Sequence, residues 1–438
     1  MEKIAAPRGT ADALPPQSAQ WAAVENRMRE VAARFGYAEI RTPMFESTAL
    51  FVRGVGEGTD IVDKEMYTFD DKGGRSMTLR PEITAPVMRA VIEHNLLAAG
   101  PARLMYIGPI FRYERPQAGR LREAHQFGLE CIGFAGPEAD AEVIAVAAAL
   151  LRECGIDASL SLNSIGDDAC RPAYREALIG YLNGQRERLS EDSQRRLERS
   201  PLRVLDSKAP EDRAIVEAAP IITDYLCDPC GEHLVRVQQL LSVVGIPYML
   251  DPRIARGLDY YTRTVFEFSS TALGAQSALC GGGRYDNLVA SLGGPPTPSV
   301  GFALGIERLL MVMETLAAQA PPERNGIAVI GLGEAARTRC FEIAAALRNT
   351  IGKSDYFGAP PIVMDYSDSK LETQLKRADR AGARMAVIAG DDELASGGVV
   401  LRDLERRDQV TSGPLPAATD AALWIIERYV QAIAEPAE

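Results

Sequence analysis

The run from Tyr106 to Gly133, YIGPIFRYERPQAGRLREAHQFGLECIG, sets two strand-like segments on either side of a turn that carries Arg112, Arg115, Arg120 and Arg122. Such a hairpin commits its surroundings to antiparallel sheet. Its cations point to a bound polyphosphate, because guanidinium offers a planar fork of donors that matches phosphate oxygens and stays charged at any working pH. The alternative is a solvated hairpin whose Glu114 and Glu123 neutralise their neighbours.

The surrounding sequence favours an α+β fold. Residues from about Ser18 to Phe35 place Trp21, Val24, Met28, Val31 and Ala32 on one helical face, and Gly36 ends the helix. YAEIRTPMF alternates as a strand, with Pro43 at an edge or interface because it cannot donate to a ladder. EMYTFDDKGGRSMTL reads as a hairpin turning at DKGG, a helix starts near Thr84, and residues 137 to 155 form an alanine-rich helix followed by the strand SLSLNSIG. From about 172 to 244 the pattern is helical and charged, an insertion with mostly solvated faces. Strands resume at IPYMLDP, YYTRTVFEFSS, the glycine cluster CGGGRYD and SVGFALG, and the helix IERLLMVMETLAA follows. The linker QAPPERNG marks a boundary near residue 325. The order beyond it is βαβαβ, expected to be a small mixed or parallel sheet. A first domain over 1–325, with the insertion inside it, and a second over 326–438 are the expectation.

Composition excludes several functions. A formal charge of −12 over 438 residues argues against a protein that coats nucleic acid without specificity, while leaving room for an RNA partner held by a local basic patch. The opening MEKIAAPRGTADALPPQ has no apolar core of a signal peptide, and no run is long and apolar enough to span a bilayer, so no membrane role and a cytoplasmic location are expected. Seven cysteines without a secretory signal read as reduced thiols. Cys227 and Cys230 form a CxxC with His233 three residues on, but a second ligand pair is missing nearby in sequence. No protein metal ligand is therefore expected. IAVIGLGEAA imitates a dinucleotide fingerprint, yet the spacing to Asp365 is too long and no second mononucleotide half follows. There is no GxxxxGK[ST], no kinase motif set and no GxSxG, so a phosphate site here has to use arginines on a sheet.

Four clusters combine arginine or carboxylate with glycines and aromatics: LRPEITA, the arginine hairpin, RGLDYYTRTVFE, and GGGRYDNLVASLGG followed by GFALGIERL. Glycines 281–283 allow close backbone approach to a ligand, and Arg308 opens an apolar helix where packing alone gives a cation no role. Glu82, Gln126 and Glu130 offer acceptors and donors for a small polar ligand, although Gln126 and Glu130 could instead satisfy buried backbone.

The order of FGYAEIRTPMFE, LRPEITAPVMRA, FRYERPQAGRLREAHQFGLECIG, RGLDYYTRTVFE and GGGRYDNLV with SVGFALGIERL resembles the class II histidyl-tRNA synthetases. SKLETQLKRADRAGARMAVIAGDDEL is similar to that family's anticodon-binding domain, so the resemblance covers nearly the whole chain. It implies an antiparallel sheet holding ATP bent over L-histidine, Mg²⁺ carried on the phosphates, a histidine tRNA partner, and a homodimer joined near Pro43. Arg112 is implied to contact the α-phosphate, Arg308 the γ-phosphate, Glu114 the adenine end, and Arg120 the nucleotide. Arg256 is implied to stand opposite the α-phosphate, so that Arg112 and Arg256 are the catalytic pair. Glu82, Thr84, Gln126, Glu130, Tyr260, Tyr261 and Tyr285 are implied to bound the histidine pocket, with Arg115 and Gln117 near the tRNA acceptor end. Ala124 and Ile83 depart from the family pattern and bear on pocket packing. The rival reading is a catalytically silent regulator resembling the regulatory subunit of ATP phosphoribosyltransferase. That type usually lacks the second domain and has an eroded RGLDYY region, and both are present here.

Overall fold

The computed structural model describes residues 4–56, 59–117, 119–199, 201–205, 207, 209–254, 260–273, 278–317, 324–351 and 360–434. The chain forms two compact units, residues 1–318 and 319–438. Among the described residues no helix is long and apolar enough to cross a membrane.

The first unit opens with α1 (Gln17–Arg34), which buries Val24, Met28, Val31 and Ala32 at helical spacing. The expected strand YAEIRTPMF is broken: β1 (Ala38–Glu39) and β2 (Phe45–Ser47) belong to different sheets. Pro43 lacks the N–H a continuous ladder needs, and the Arg80 guanidinium fastens the gap by donating to Thr42 O at 2.9 Å and Pro109 O at 2.8 Å. After α2 (Thr48–Val55) come β3 (Tyr67–Asp70) and β4 (Ser76–Leu79), which with β2 make a three-stranded sheet in the order β2-β4-β3. Next are α3 (Thr84–Glu93), the long hairpin β5 (Ala102–Phe111) and β6 (Glu123–Ile132), α4 (Pro137–Glu153) and β7 (Ser159–Ser164).

The insertion contains α5 (Arg171–Asn183), α6 (Glu191–Arg199) and α7 (Pro210–Glu217), and it has a core of its own around Tyr174, Leu178, Leu182, Leu197 and Ile215. The helix that follows, α8 (Asp228–Val243), instead buries Leu234, Val237 and Leu241 in the main core beside α4. The unit ends with β8 (Met249–Leu250), β9 (Thr262–Ser269), β10 (Ala278–Arg284), α9 (Leu288–Ser291), β11 (Ser299–Gly305) and α10 (Ile306–Ala317). Among the described residues eight strands form the large sheet, in the order β1-β5-β6-β11-β10-β9-β7-β8. It is antiparallel except where β1 meets β5 and β7 meets β8. One face is closed by α1, α4, α8 and α10; the other carries α3 and α9 and remains partly open.

The second unit runs β12 (Ile327–Gly331), α11 (Glu334–Ile351), β13 (Ile362–Met364), α12 (Leu371–Arg380), β14 (Met385–Ala389), α13 (Asp391–Ser396), β15 (Val400–Asp403), β16 (Gln409–Thr411) and α14 (Ala418–Ala434). β12 pairs parallel with β13 and β14, while β15 and β16 add on antiparallel. Alternation divides the core: Ile327 and Val329 face α11 and α14, and Ala328 and Ile330 face α12.

Candidate active site

Strand alternation builds the floor. In β6, Phe127, Leu129 and Cys131 enter the closed core, so Gln126, Gly128 and Glu130 emerge on the open face. The ladder carries that face sideways: Tyr106 lies opposite Gly128, Gly128 opposite Ala303, Ala303 opposite Gly281, and Gly281 opposite Glu267. A neighbouring row runs from Glu130 to Gly301 to Gly283. Small residues therefore make a trough with Tyr106 and Glu267 at the ends of one row. Their size is required, since a Cβ on Gly301 would lie 2.2 Å from Glu130 Oε2, and one on Gly128 2.3 Å from the Tyr106 hydroxyl.

A cavity of about 530 Å³ lies over this trough. Arg112, Glu114, Arg120, Arg308, Glu82, Thr84, Gln126, Tyr260, Tyr261 and Tyr285 all line it, although they come from six separate stretches of the chain. Backbone carbonyls fix two of the guanidinium groups. Arg112 Nε donates to Pro81 O at 2.8 Å, and Arg308 donates to Gly119 O at 3.0 Å and Ala278 O at 2.9 Å. Burial pushes Arg308 below its ordinary pKa, and the charges of Arg120 and Arg112 lower it further against the pull of Glu114. Glu114 sits between the other two arginines, with one oxygen 3.2 Å from Arg120 Nε and the other 3.9 Å from Arg112 Nη1. Glu65 and Glu267 also act on these arginines, so the three guanidinium groups stand charged among carboxylates, with planar donor forks that match phosphate oxygens.

Away from the arginines the cavity and its surroundings are acidic and aromatic. Glu82 accepts from the backbone N–H groups of Thr84 and Ala85, both at 2.8 Å, and so caps α3. Glu130 accepts from the Tyr285 hydroxyl. The rings of Tyr260, Tyr261 and Tyr285 pack within 4.8 to 6.2 Å of one another. Burial raises the pKa of Glu82, and it raises Glu130 much further, where the charge of Glu82 adds to the effect. Gln126 Oε1, Glu130 Oε1 and the Tyr106 hydroxyl are buried without a hydrogen bond of good geometry. Glu130 and the Tyr106 hydroxyl still reach each other and Thr84, so Gln126 Oε1 is the clear orphan, and a buried acceptor left over beside a cavity suits a ligand.

Other predicted residues lie elsewhere. Arg115 and Gln117 are exposed on the β5–β6 loop and do not line the cavity. Arg122, also counted among the hairpin cations, turns away and stacks 4.0 Å over the Tyr113 ring. Arg256 lies outside the described residues.

Sequence reading missed Tyr106, Glu267, the His125–Glu307 pair and Arg196 of the insertion, all of which line the cavity. The available signal was period two: Glu267 is the one carboxylate between Phe266 and Phe268, which both enter the closed core. Glu307 accepts from the His125 backbone N–H and lies 3.0 Å from its ring Nδ1. Burial alone would lower the imidazole pKa, but the Glu307 carboxylate outweighs it and holds the value above 6.5. The CxxC has no second ligand pair near it in sequence, but it has candidate partners in space. Asp167 and Cys170, distant in sequence, stand beside Cys227 and Cys230, while His233 turns instead to Asp140, 3.3 Å away.

The family model described as histidyl-tRNA synthetase matches residues 9–309, and that described as anticodon binding domain matches residues 327–414. The chain is 49% identical over 417 residues to a histidine–tRNA ligase of Moorella thermoacetica, with 94% of this chain and 96% of the relative aligned. It is 50% identical over 413 residues to the histidine–tRNA ligase of a Cyanothece species, covering 93% of this chain and 94% of the relative. Among solved structures, apo histidyl-tRNA synthetase from S. aureus superposes with a TM-score of 0.76 at 36% identity, over 94% of this chain and 97% of that one.

Proposed function

The chain belongs to the histidyl-tRNA synthetase family, and from that premise we propose how its cavity carries out the reaction. It is a histidine–tRNA ligase, ATP-dependent, forming histidyl-adenylate and passing histidine to the 3′ end of its tRNA. The rival reading as a silent regulator is not favoured, since relatives at about half identity along almost the whole chain are ligases.

The observation that carries the assignment of roles is the convergence of arginines and an orphaned acceptor on one cavity. ATP lies along the arginine wall, with Arg112 at the α-phosphate, Arg308 at the γ-phosphate, and Arg120 and Glu114 toward the rest of the nucleotide. Histidine occupies the trough between Glu82, Thr84, Gln126, Glu130, Tyr260, Tyr261 and Tyr285. Its ammonium group meets Glu82, and its imidazole meets Glu130 beside the Tyr285 hydroxyl. Arg112 has electrostatic influence on both Glu82 and Arg308, as a group at the junction of the two substrates does. When the histidine carboxylate attacks, charge grows on the α-phosphoryl oxygens. Guanidinium groups already fixed by carbonyls stabilise that charge with little reorganisation. Arg256 is assigned to the opposite side of the same phosphate on its place in RGLDYY. No side-chain nucleophile is needed.

A magnesium ion arriving with the nucleotide would supply neutralisation of phosphate charge. Glu267, close enough to Arg308 to influence it, would offer the hard oxygen donor this ion takes. Arg115 and Gln117 on the exposed loop are assigned to the acceptor end of tRNA, and the second unit to the anticodon.

Histidine-dependent exchange of pyrophosphate into ATP tests the assignment. The parent should exchange only with histidine present, and Arg112→Ala and Arg308→Ala should each lose roughly 10²-fold or more, the scale for removing one preorganised group. Parental exchange in both variants would sink the placement of ATP.

A further inference from the structure

We propose that Asp167, Cys170, Cys227 and Cys230 form a structural zinc-class site that fastens the base of the helical insertion. The four side chains are brought together from either end of that insertion. Cys170 and Cys227 stand 57 residues apart in sequence, yet their sulfurs are 3.2 Å apart. Asp167 Oδ1 lies 3.5 Å from Cys170 Sγ and 3.9 Å from Cys227 Sγ, and all four ligand atoms fall within 4.8 Å of one another. A tetrahedral zinc ion, with sulfur at about 2.3 Å and carboxylate oxygen at about 2.0 Å, spaces its ligand atoms roughly 3.5 to 3.8 Å apart. The cluster approximates that spacing. Three thiolates and one carboxylate are a soft donor set that selects zinc over magnesium or calcium.

The surroundings suit the negative charge that a bound cation would leave only partly neutralised. Cys170 is the N-cap of α5 and Cys227 the N-cap of α8, so two helix N-termini converge on the sulfurs. The Cys227 backbone N–H donates to Cys170 Sγ at 3.1 Å, and the Ala169 N–H to Asp167 Oδ1 at 3.1 Å. The remaining oxygen of Asp167 lies 3.3 Å from Arg263 Nη2 on β9, an outer-shell contact of the kind that orients a metal-bound carboxylate. Cys170 and Cys230 are buried, Asp167 and Cys227 half-buried, which leaves an entry path for the ion.

The location gives the site its purpose. The chain leaves β7 at Ser164, enters the insertion through Asp167 and Cys170, and returns to the main body through Cys227 and Cys230. Tyr174, Leu178 and Ile215 pack among the insertion's own residues, so a metal at the neck would hold that separate core against the large sheet. Arg196 of α6, which lines the catalytic cavity, would be positioned through this neck.

The test uses the full chain purified under reducing conditions. Elemental analysis after desalting should find about one zinc per chain. Replacement by cobalt should give sulfur-to-cobalt charge-transfer absorption together with the visible bands of a tetrahedral ion. Cys227→Ser with Cys230→Ser should abolish both signals, and Asp167→Cys should keep the metal and strengthen the charge-transfer band. Three results would each overturn the site: no zinc and no charge-transfer band in the reduced parent, zinc undiminished in the double variant, or a Cys170–Cys227 disulfide in protein prepared without air. If the double variant does not fold, the cobalt spectrum of the parent decides alone.

Discussion

At the scale of single residues, Glu130 and Gly301 together shape the acidic end of the trough. Glu130 keeps one oxygen on Tyr285 and turns toward Thr84 and Tyr106, and the missing side chain at Gly301 makes the room. Glu130→Gln should keep the fold and raise the histidine KM by roughly 10 to 100-fold, the worth of about 1.5–3 kcal/mol for a hydrogen bond to a charged group. The ATP KM should stay near parental, and pyrophosphate exchange at varied histidine and ATP separates the two; an equal rise in both would contradict the placement. Gly301→Ala should do harm beyond histidine binding, because its Cβ meets the Leu129 carbonyl oxygen of β6 as well as Glu130. A second prediction concerns His125, whose pKa is held above 6.5 by Glu307 despite burial. A value raised on folding contributes stability that is fully present below the unfolded pKa of about 6.5 and is lost as pH rises through the folded value. Glu307→Gln removes the strongest opposition to burial and leaves only the weaker pull of Glu123 and Glu25, so the His125 titration should move down. With three histidines in the chain, NMR can follow each one, and an unmoved His125 would refute the pairing. The arginines of this site were legible in the sequence because local pattern places them at a turn and a helix start. Tyr106 and Glu267 were not, because only strand register puts them at opposite ends of one row.

At the scale of elements, periodicity foretold helices and hairpins where one face is buried, as for α1, α4 and the β5–β6 pair. It failed where a side chain from elsewhere decides. The split of β1 from β2 rests on Arg80, 38 residues from Thr42, and α8 reads like the insertion helices in charge and period yet packs under the main sheet. The junction of α4, α8 and β10 is another such long-range fact. Arg284 of β10 is fully buried, pairs with Asp140 in the first turn of α4, and also donates to Phe134 O at 3.0 Å and Gly136 O at 3.2 Å. Burial alone would raise Asp140, but His233 and Arg284 outweigh it and hold the carboxyl below its usual value. Arg284→Met removes one of the two partners of the buried Asp140 and leaves only His233 beside it, which should cost about 3 kcal/mol in denaturant unfolding. Asp140→Asn with Arg284→Met should recover a large part of that loss, because neither charge then remains buried. A double variant no more stable than the single one would show that the pair is not what joins these elements.

For the molecule as a whole, the small sheet β2-β4-β3 carries an unpartnered apolar face that bears on assembly. Phe45 and Tyr67 both lie opposite Leu79, and Phe69 lies opposite Met77, so all five side chains share one face. The other face is accounted for within the chain, where Thr78 is buried and joined to Thr48 and Thr68 through hydroxyl contacts of 2.9 and 3.0 Å. Phe45 is 53% exposed, Phe69 45%, and the adjoining Met44 53%, a grouping that a monomer rarely leaves in water. The Pro43 segment leads directly into this sheet, and a two-fold partner would cover the patch with its own copy, since an isologous interface places the same surface on both sides. The homodimer proposed for this chain is therefore assigned to this face. Light scattering coupled to size exclusion should give about twice the 47.4 kDa chain mass. Phe45→Asp combined with Phe69→Lys should shift the population toward a single chain as the sample is diluted, with helical content by circular dichroism unchanged, because both residues already face solvent within one chain. A parent that runs as one chain, or a double variant that stays dimeric at every dilution, would show that this face is not the interface.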